Sequence, residues 1–282
     1  MKVAIVTFAT KWNLLKSTTT AAYMRVSEST VNGVVTREFA ERISSVRGFL
    51  AEVLEGGGQK LRKGGGQGVT FLHHLDGQPY YCKVYMPGKL RWYYRDLMGT
   101  GRAMAEWEAN LRAHAFGIPT APVLLAAGIS SGLSTTHLFV TAPSVGVALE
   151  PWLLAGEASG STEQRVYCSA QAVAWYHHIG FWHPHLHGHH LFWRDDLGCF
   201  ELIDLENCQF FAGVPDGPAQ HNVRQMARSI KRSIGQGYEQ LFARAYQDEL
   251  DRLARGGEAV GVDMRRSSGA HALTPSRGSD RE

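Results

Sequence analysis

A lysine in the middle of an apolar strand is the strongest constraint this chain places on its own fold. The run 79-PYYCKVY-85 reads as a β-strand, and the turn signal 76-DGQ-78 joins it to 69-VTFLHHL-75 as a hairpin. Lys83 sits centrally in that strand among apolar neighbours, where an ammonium group is costly to bury without a partner. A carboxylate therefore has to reach it from elsewhere. The following helix, expected over 100–116, offers Glu106 beside a buried stripe of Met104, Trp107, Leu111 and Ala115. Glu108 is the competing carboxylate, but two positions along a helix it faces elsewhere. Gly117 suits the position just past the helix end, and Pro119 stops continuation.

A second expensive carboxylate is Asp204, which ends the apolar run 199-CFELIDL-205. Between the two charged strands the chain changes character. Strand-like runs at 122–128 and 137–142 give way, after 143-PSVG-146, to helical segments at 150–154, 161–180, 218–234 and 237–255. Ser161 or Thr162 is the candidate N-cap of the second. The organisation that follows is α+β and bilobal: a β-rich N-lobe with one helix over 56–145, then a small, mostly helical C-lobe over 146–255. Residues 1–55 read as an N-terminal extension with a helix at 36–54, and 256–282 as a disordered tail without apolar periodicity.

Composition narrows the classes. Hydrophobic residues make up 44% and charged residues 20%, ordinary for a soluble globular chain. A formal net charge of +3 gives no case for nucleic acid as a partner. Local basic groups, Lys60, Arg62 and Lys63 or Arg224, Arg228, Lys231 and Arg232, read as solvated faces or partner surfaces. Four scattered cysteines without a CxxC pair favour a reducing compartment. The first residues lack a convincing cleavage site, and no window reaches the roughly 18 apolar residues of a spanning helix. The expected location is cytoplasmic, with peripheral contact at the inner face of a membrane.

A lysine strand near a glycine-rich run (56-GGGQKLRKGGGQG-68), a helix carboxylate, and an aspartate ending a strand match the needs of phosphoryl transfer. That chemistry rests on positioning and charge neutralisation, with a hard oxygen ligand for Mg²⁺. The segments CKVY, AEWEANLRAHAFGIPTAPVLLAAG, AVAWYHHIGFWHPHLHGHHLFW and ELIDLEN, over residues 64–211, resemble the lipopolysaccharide core kinases. This is the Kdo and heptose kinase family with its InaA branch, which has a protein-kinase-like fold. The resemblance implies that Lys83 contacts the ATP α/β-phosphates, that Glu106 pairs with it, and that Asp204 binds Mg²⁺. It further implies that Gly64, Gly65, Gly66 and Gly68 cover the phosphates, and that Glu206 is a second metal or orienting carboxylate. The acceptor it implies is a sugar hydroxyl on a lipid-linked core oligosaccharide.

The loop 183-HPHLHGHH-190 departs from the kinase pattern His-x-Asp-Leu-x-x-x-Asn. His185 occupies the aspartate slot, where a base accepts the acceptor's proton, and His190 occupies the asparagine slot, a metal ligand. A neutral imidazole can accept a proton near pH 7 but supplies no negative charge beside Mg²⁺. Three readings stay open: an active kinase with an atypical loop, a nucleotide-binding pseudokinase, and a transition-metal site. The last requires His183, His185, His187 and His189 to share one face of an extended loop.

Overall fold

The computed structural model describes residues 23–26, 28–63, 68–86, 101–132, 134–155 and 161–256. Its N-lobe is built on one antiparallel sheet of seven strands. These are β1 (Tyr23–Arg25), β2 (Val31–Thr36), β3 (Gly58–Lys63), β4 (Gly68–Leu75), β5 (Gln78–Tyr85), β6 (Val123–Ser131) and β7 (Ser134–Thr141). They lie in the order β1-β2-β6-β7-β5-β4-β3. The hairpin foreseen around 76-DGQ-78 is β4–β5, in register from Gly68↔Tyr85 to Leu75↔Gln78.

Both faces of this sheet are covered. One carries α1 (Arg37–Ala40) and α2 (Val46–Glu52), whose Phe39, Phe49 and Leu50 pack on Cys82, Val84, Leu138 and Val140. The other carries α3 (Arg102–Ala115), with Trp107 and Leu111 against Val34, Tyr85, Ala126 and Phe139. The period-two alternation of β5 thus sends Cys82 and Val84 to one face, and Lys83 and Tyr85 to the α3 face.

Residues 23–57 are therefore part of the N-lobe, supplying two strands and the cover of one sheet face. The helix foreseen at 36–54 is two helices, because two caps compete with a continuous ladder. Thr36 Oγ1 accepts from Phe39 N–H, and Ser45 Oγ accepts from Gly48 N–H. A π-helical turn, Val53–Gly57, then leads into β3. The foreseen stripe of α3 is also wider and shifted. Ala115 is exposed, whereas Ala109 and Ala113 are buried, because α3 also packs on the C-lobe core.

The C-lobe holds α4 (Leu149–Leu154), α5 (Thr162–His178), α6 (Asp216–Ile234) and α7 (Tyr238–Ala254). With them lies a small sheet of β8 (Val147–Ala148), β10 (Leu191–Arg194) and β11 (Cys199–Leu202). A second pair joins β9 (Phe181–Trp182) to β12 (Gln209–Phe210). Ser161 caps α5 by accepting from Gln164 N–H. The lobes are stitched by main-chain bonds across the segment after α3: Leu202 N–H donates to Pro119 O at 2.9 Å, and Ala121 N–H to Leu202 O at 3.3 Å. Gly117 sits at φ +77° just past α3, and Ile118 N–H closes the turn on Ala113 O, as that glycine led one to expect. No helix among the described residues is long and apolar enough to cross a membrane.

The cover formed by α1 and α2 is testable. Phe49 is 1% exposed, so Phe49→Ala should lower unfolding stability by about 3 kcal/mol in denaturant titration. Wild-type stability in that variant would show that 23–57 is not integral to the lobe.

Candidate active site

Three charged side chains from three elements meet in the cleft between the lobes. Lys83 Nζ, from β5, lies 2.5 Å from Glu106 Oε1 on α3 and 2.8 Å from Asp204 Oδ1 beyond β11. Glu106 is 1% exposed, and its other oxygen accepts from Tyr85 O–H at 2.6 Å. Both oxygens of the buried carboxylate are thus satisfied, which is the condition for keeping such a group inside. Burial pushes the Glu106 carboxyl above its ordinary value, with Lys83 acting against it. For Lys83, burial opposes the charge, but Glu106 and Asp204 outweigh it and hold the ammonium above its ordinary value. Burial would raise the Asp204 carboxyl; the adjacent Lys83 ammonium wins, so it stays ionised.

Asp204 reaches this position through its backbone. It adopts φ +60°, a left-handed conformation that aspartate tolerates better than most residues, and so turns the chain out of β11. Ile203 N–H donates to His190 O at 3.1 Å, tying that turn to the histidine loop. Glu108 is half-buried and takes no part in the cluster.

Arg102 grips Oε1 of Glu206 through Nε at 2.9 Å and a terminal nitrogen at 2.5 Å, and its guanidinium lies 4.1 Å over the Tyr85 ring. Glu206 is thus an ion-pair partner that braces the cleft wall. Tyr85 and Arg102 are the residues that sequence reasoning missed. Tyr85 shares a strand face with Lys83, two positions away, and Arg102 precedes Glu106 by one helical turn. Both spacings were visible signals.

Gly64, Gly65 and Gly66 lie outside the described residues. Gly68 opens β4 and pairs with Tyr85, so close to that ring that a Cβ there would sit 3.2 Å from it.

The loop from His183 to His190 is held from α6. Asn222, fully buried, donates through Nδ2 to His183 O at 2.7 Å, and Ser229 Oγ accepts from Gly188 N–H at 3.2 Å. His177 Nε2–H donates to Asn222 Oδ1 at 3.1 Å, and its Nδ1 accepts from Tyr246 O–H at 2.7 Å. The loop enters through Gly180, at φ +84°, where a Cβ would stand 2.1 Å from Phe211 O. No side chain but hydrogen fits there.

The histidines point in different directions. His183 and His190 are buried, whereas His185 and His189 are exposed, so the four alternating imidazoles do not share a face. The His190 ring instead packs between His183 at 4.9 Å and His187 at 3.9 Å between ring centroids. Among the described residues no group of three or more His, Cys, Asp or Glu side chains is disposed to hold a metal ion. His183, His185, His187 and His189 do not share the single face that a site built from all four would need. Magnesium delivered with nucleotide makes a smaller demand, one or two carboxylates plus phosphate oxygens. Asp204 fits it: its carboxylate is held by Lys83, 42% exposed, with His190 Nε2 3.7 Å from Oδ2. His185 presents its ring to solvent, while its N–H donates to His183 Nδ1 at 3.1 Å.

Burial lowers His177 and His183 to about 4. It lowers His190 to about 3, helped by His183 and His187. All three are neutral in the fold at pH 7. Below about 6.5 the unfolded chain binds protons that the folded chain refuses. Stability therefore falls as pH drops from 6.5 towards 4, at about 1.4 kcal/mol per pH unit for each histidine. Denaturant unfolding at pH 7 and pH 5 should show that loss, and equal stability at the two values would rule out neutral burial.

Comparison with known proteins adds three findings. The profile of the lipopolysaccharide kinase (Kdo/WaaP) family matches residues 53–247, well over half of the chain. A solved structure described as WaaP in complex with acyl carrier protein is similar over 79% of this chain and 92% of that one. The TM-score is 0.56 and the sequence identity 19%, a likeness of fold. No curated protein matches the chain.

Proposed function

The chain belongs to the lipopolysaccharide kinase (Kdo/WaaP) family, and from that premise we propose that it transfers the γ-phosphoryl group of ATP to a sugar hydroxyl of a lipid-linked core oligosaccharide. The observation that carries this reading is the meeting of Lys83, Glu106 and Asp204 in one cleft. An ammonium fixed between two carboxylates serves phosphate binding well. Glu106 orients it from the buried side, and Asp204 faces the opening.

In this reading Lys83 binds the α/β-phosphates, and Asp204 with His190 would hold Mg²⁺, which would neutralise charge on the phosphates when bound. The resemblance gives Gly64, Gly65, Gly66 and Gly68 the role of covering the phosphates; of these only Gly68, at the start of β4, is among the described residues. The acceptor oxygen forms a bond to the γ-phosphorus as the bond to the bridging β–γ oxygen breaks; ADP leaves, and the hydroxyl proton goes to a base. His185 stands in the base slot. A neutral imidazole accepts the proton, and because the transition state is loose the reaction asks little of that base. The acceptor is met at the inner face of the membrane, in the cytoplasm.

A second reading is favoured by one residue. His185 supplies no negative charge where kinases place an aspartate, which suits a nucleotide-binding pseudokinase with a regulatory role. Steady-state phosphotransfer to purified core oligosaccharide separates the two. A kinase should turn over and lose at least about 100-fold in kcat on Lys83→Ala or Asp204→Ala, the scale of losing a main electrostatic contact. His185→Asp should raise kcat. A protein that binds Mg·ATP but shows no turnover, with or without His185→Asp, would be the pseudokinase.

A further inference from the structure

The cleft wall holds one hydroxyl that packing alone does not require. Tyr85 is 3% exposed, and its ring is seated from two sides. Gly68 of the paired strand lies so close that a Cβ there would meet the ring at 3.2 Å, and the Arg102 guanidinium lies 4.1 Å over the ring centroid. Those contacts would seat a phenylalanine equally well. The hydroxyl does something further: it donates to Glu106 Oε2 at 2.6 Å. Burial, and after it the Glu106 charge, push the Tyr85 phenol well above its ordinary value, so it keeps its proton and its donor role at pH 7.

What this bond secures follows from the neighbouring ones. Among the described residues the Glu106 carboxylate meets Lys83 through Oε1 and Tyr85 through Oε2. Lys83 is shared, since it also reaches Asp204 at 2.8 Å. An ammonium has three donors, so Lys83 keeps one for a phosphate oxygen while holding both acids. A phosphate at that donor pulls the lysine towards the opening. Its aim then depends on a carboxylate that does not follow it, and the bond that holds Glu106 independently of Lys83 is the one from Tyr85. Without the O–H, Oε2 would be a buried acceptor lacking its donor, a cost that turning the carboxylate away from Lys83 relieves.

Resting on the phosphotransferase reading, we propose that Tyr85 is a positioning residue of the nucleotide site. Its O–H anchors Glu106, and through Glu106 it sets the aim of Lys83 at the α/β-phosphates. Tyr85 itself touches no phosphate, so its influence falls on the phosphates of the nucleotide and not on the nucleoside.

Titration calorimetry tests this, with Mg·ADP and adenosine as probes, on wild type, Tyr85→Phe, Glu106→Gln and the double variant; thermal unfolding checks each fold. Tyr85→Phe keeps the ring that Gly68 and Arg102 seat, so it isolates the hydroxyl. It should bind Mg·ADP at least about tenfold more weakly, the scale of a charge-assisted hydrogen bond, and bind adenosine as wild type does. In the Glu106→Gln background the same substitution should change Mg·ADP affinity by less than about twofold, because the residue it acts through is already altered. Unchanged Mg·ADP affinity in Tyr85→Phe overturns the proposal. Equal weakening of adenosine and Mg·ADP also does, since that marks a general packing role. A full tenfold loss in the Glu106→Gln background would show that Tyr85 acts independently of Glu106, and a Tyr85→Phe chain that fails to fold while Glu106→Gln folds would make the hydroxyl purely structural. Failure of the kinase reading looks different: wild type itself would then bind neither Mg·ADP nor adenosine.

Discussion

The buried carboxylate of Glu106 is what the arrangement of the two lobes turns on. A carboxylate that is 1% exposed needs its charge answered. Lys83 and Tyr85 answer it from one face of a single strand. Lys83 is then committed to the cleft side of the sheet, α3 is fixed in rotation above that sheet, and Asp204 completes the cation's surroundings from the other lobe. The main-chain bonds from Pro119 and Ala121 to Leu202 hold that second lobe at the right distance. The cluster is thus a site and also the point at which the lobes agree on their spacing.

The histidine loop depends on a different economy. Its main chain is anchored by Asn222 and Ser229, and its buried rings stay neutral against one another. Neutral stacking lets several imidazoles sit together without mutual charge repulsion. It leaves the His185 ring outside, exposed to solvent.

The convergence of Lys83, Glu106 and Asp204 was legible because a charge inside an apolar run is an anomaly that only a partner resolves. The β4–β5 hairpin, Gly117 past α3 and the Ser161 cap were legible for local reasons, since turn and cap chemistry is written in a few adjacent residues. What escaped was decided by packing between distant segments. Nothing local in residues 23–57 says that β2 pairs with β6 or that Phe49 covers the face opposite α3. Ala115 continued a periodic stripe and yet is exposed, because a second surface, the C-lobe core, also claims α3. That Arg102 pairs with Glu206 also escaped, because only the fold brings the start of α3 to it. The split of the first expected helix was written in Thr36 and Ser45, two N-caps within one apolar pattern.

The central claim is that this cluster receives Mg·ATP. Titration calorimetry of ATP with and without Mg²⁺, on wild type and Asp204→Asn, tests it most directly. Binding that requires Mg²⁺ in wild type and is lost in the variant is the predicted result. Equal binding with and without Mg²⁺, or an Asp204→Asn protein that binds as wild type does, would contradict it.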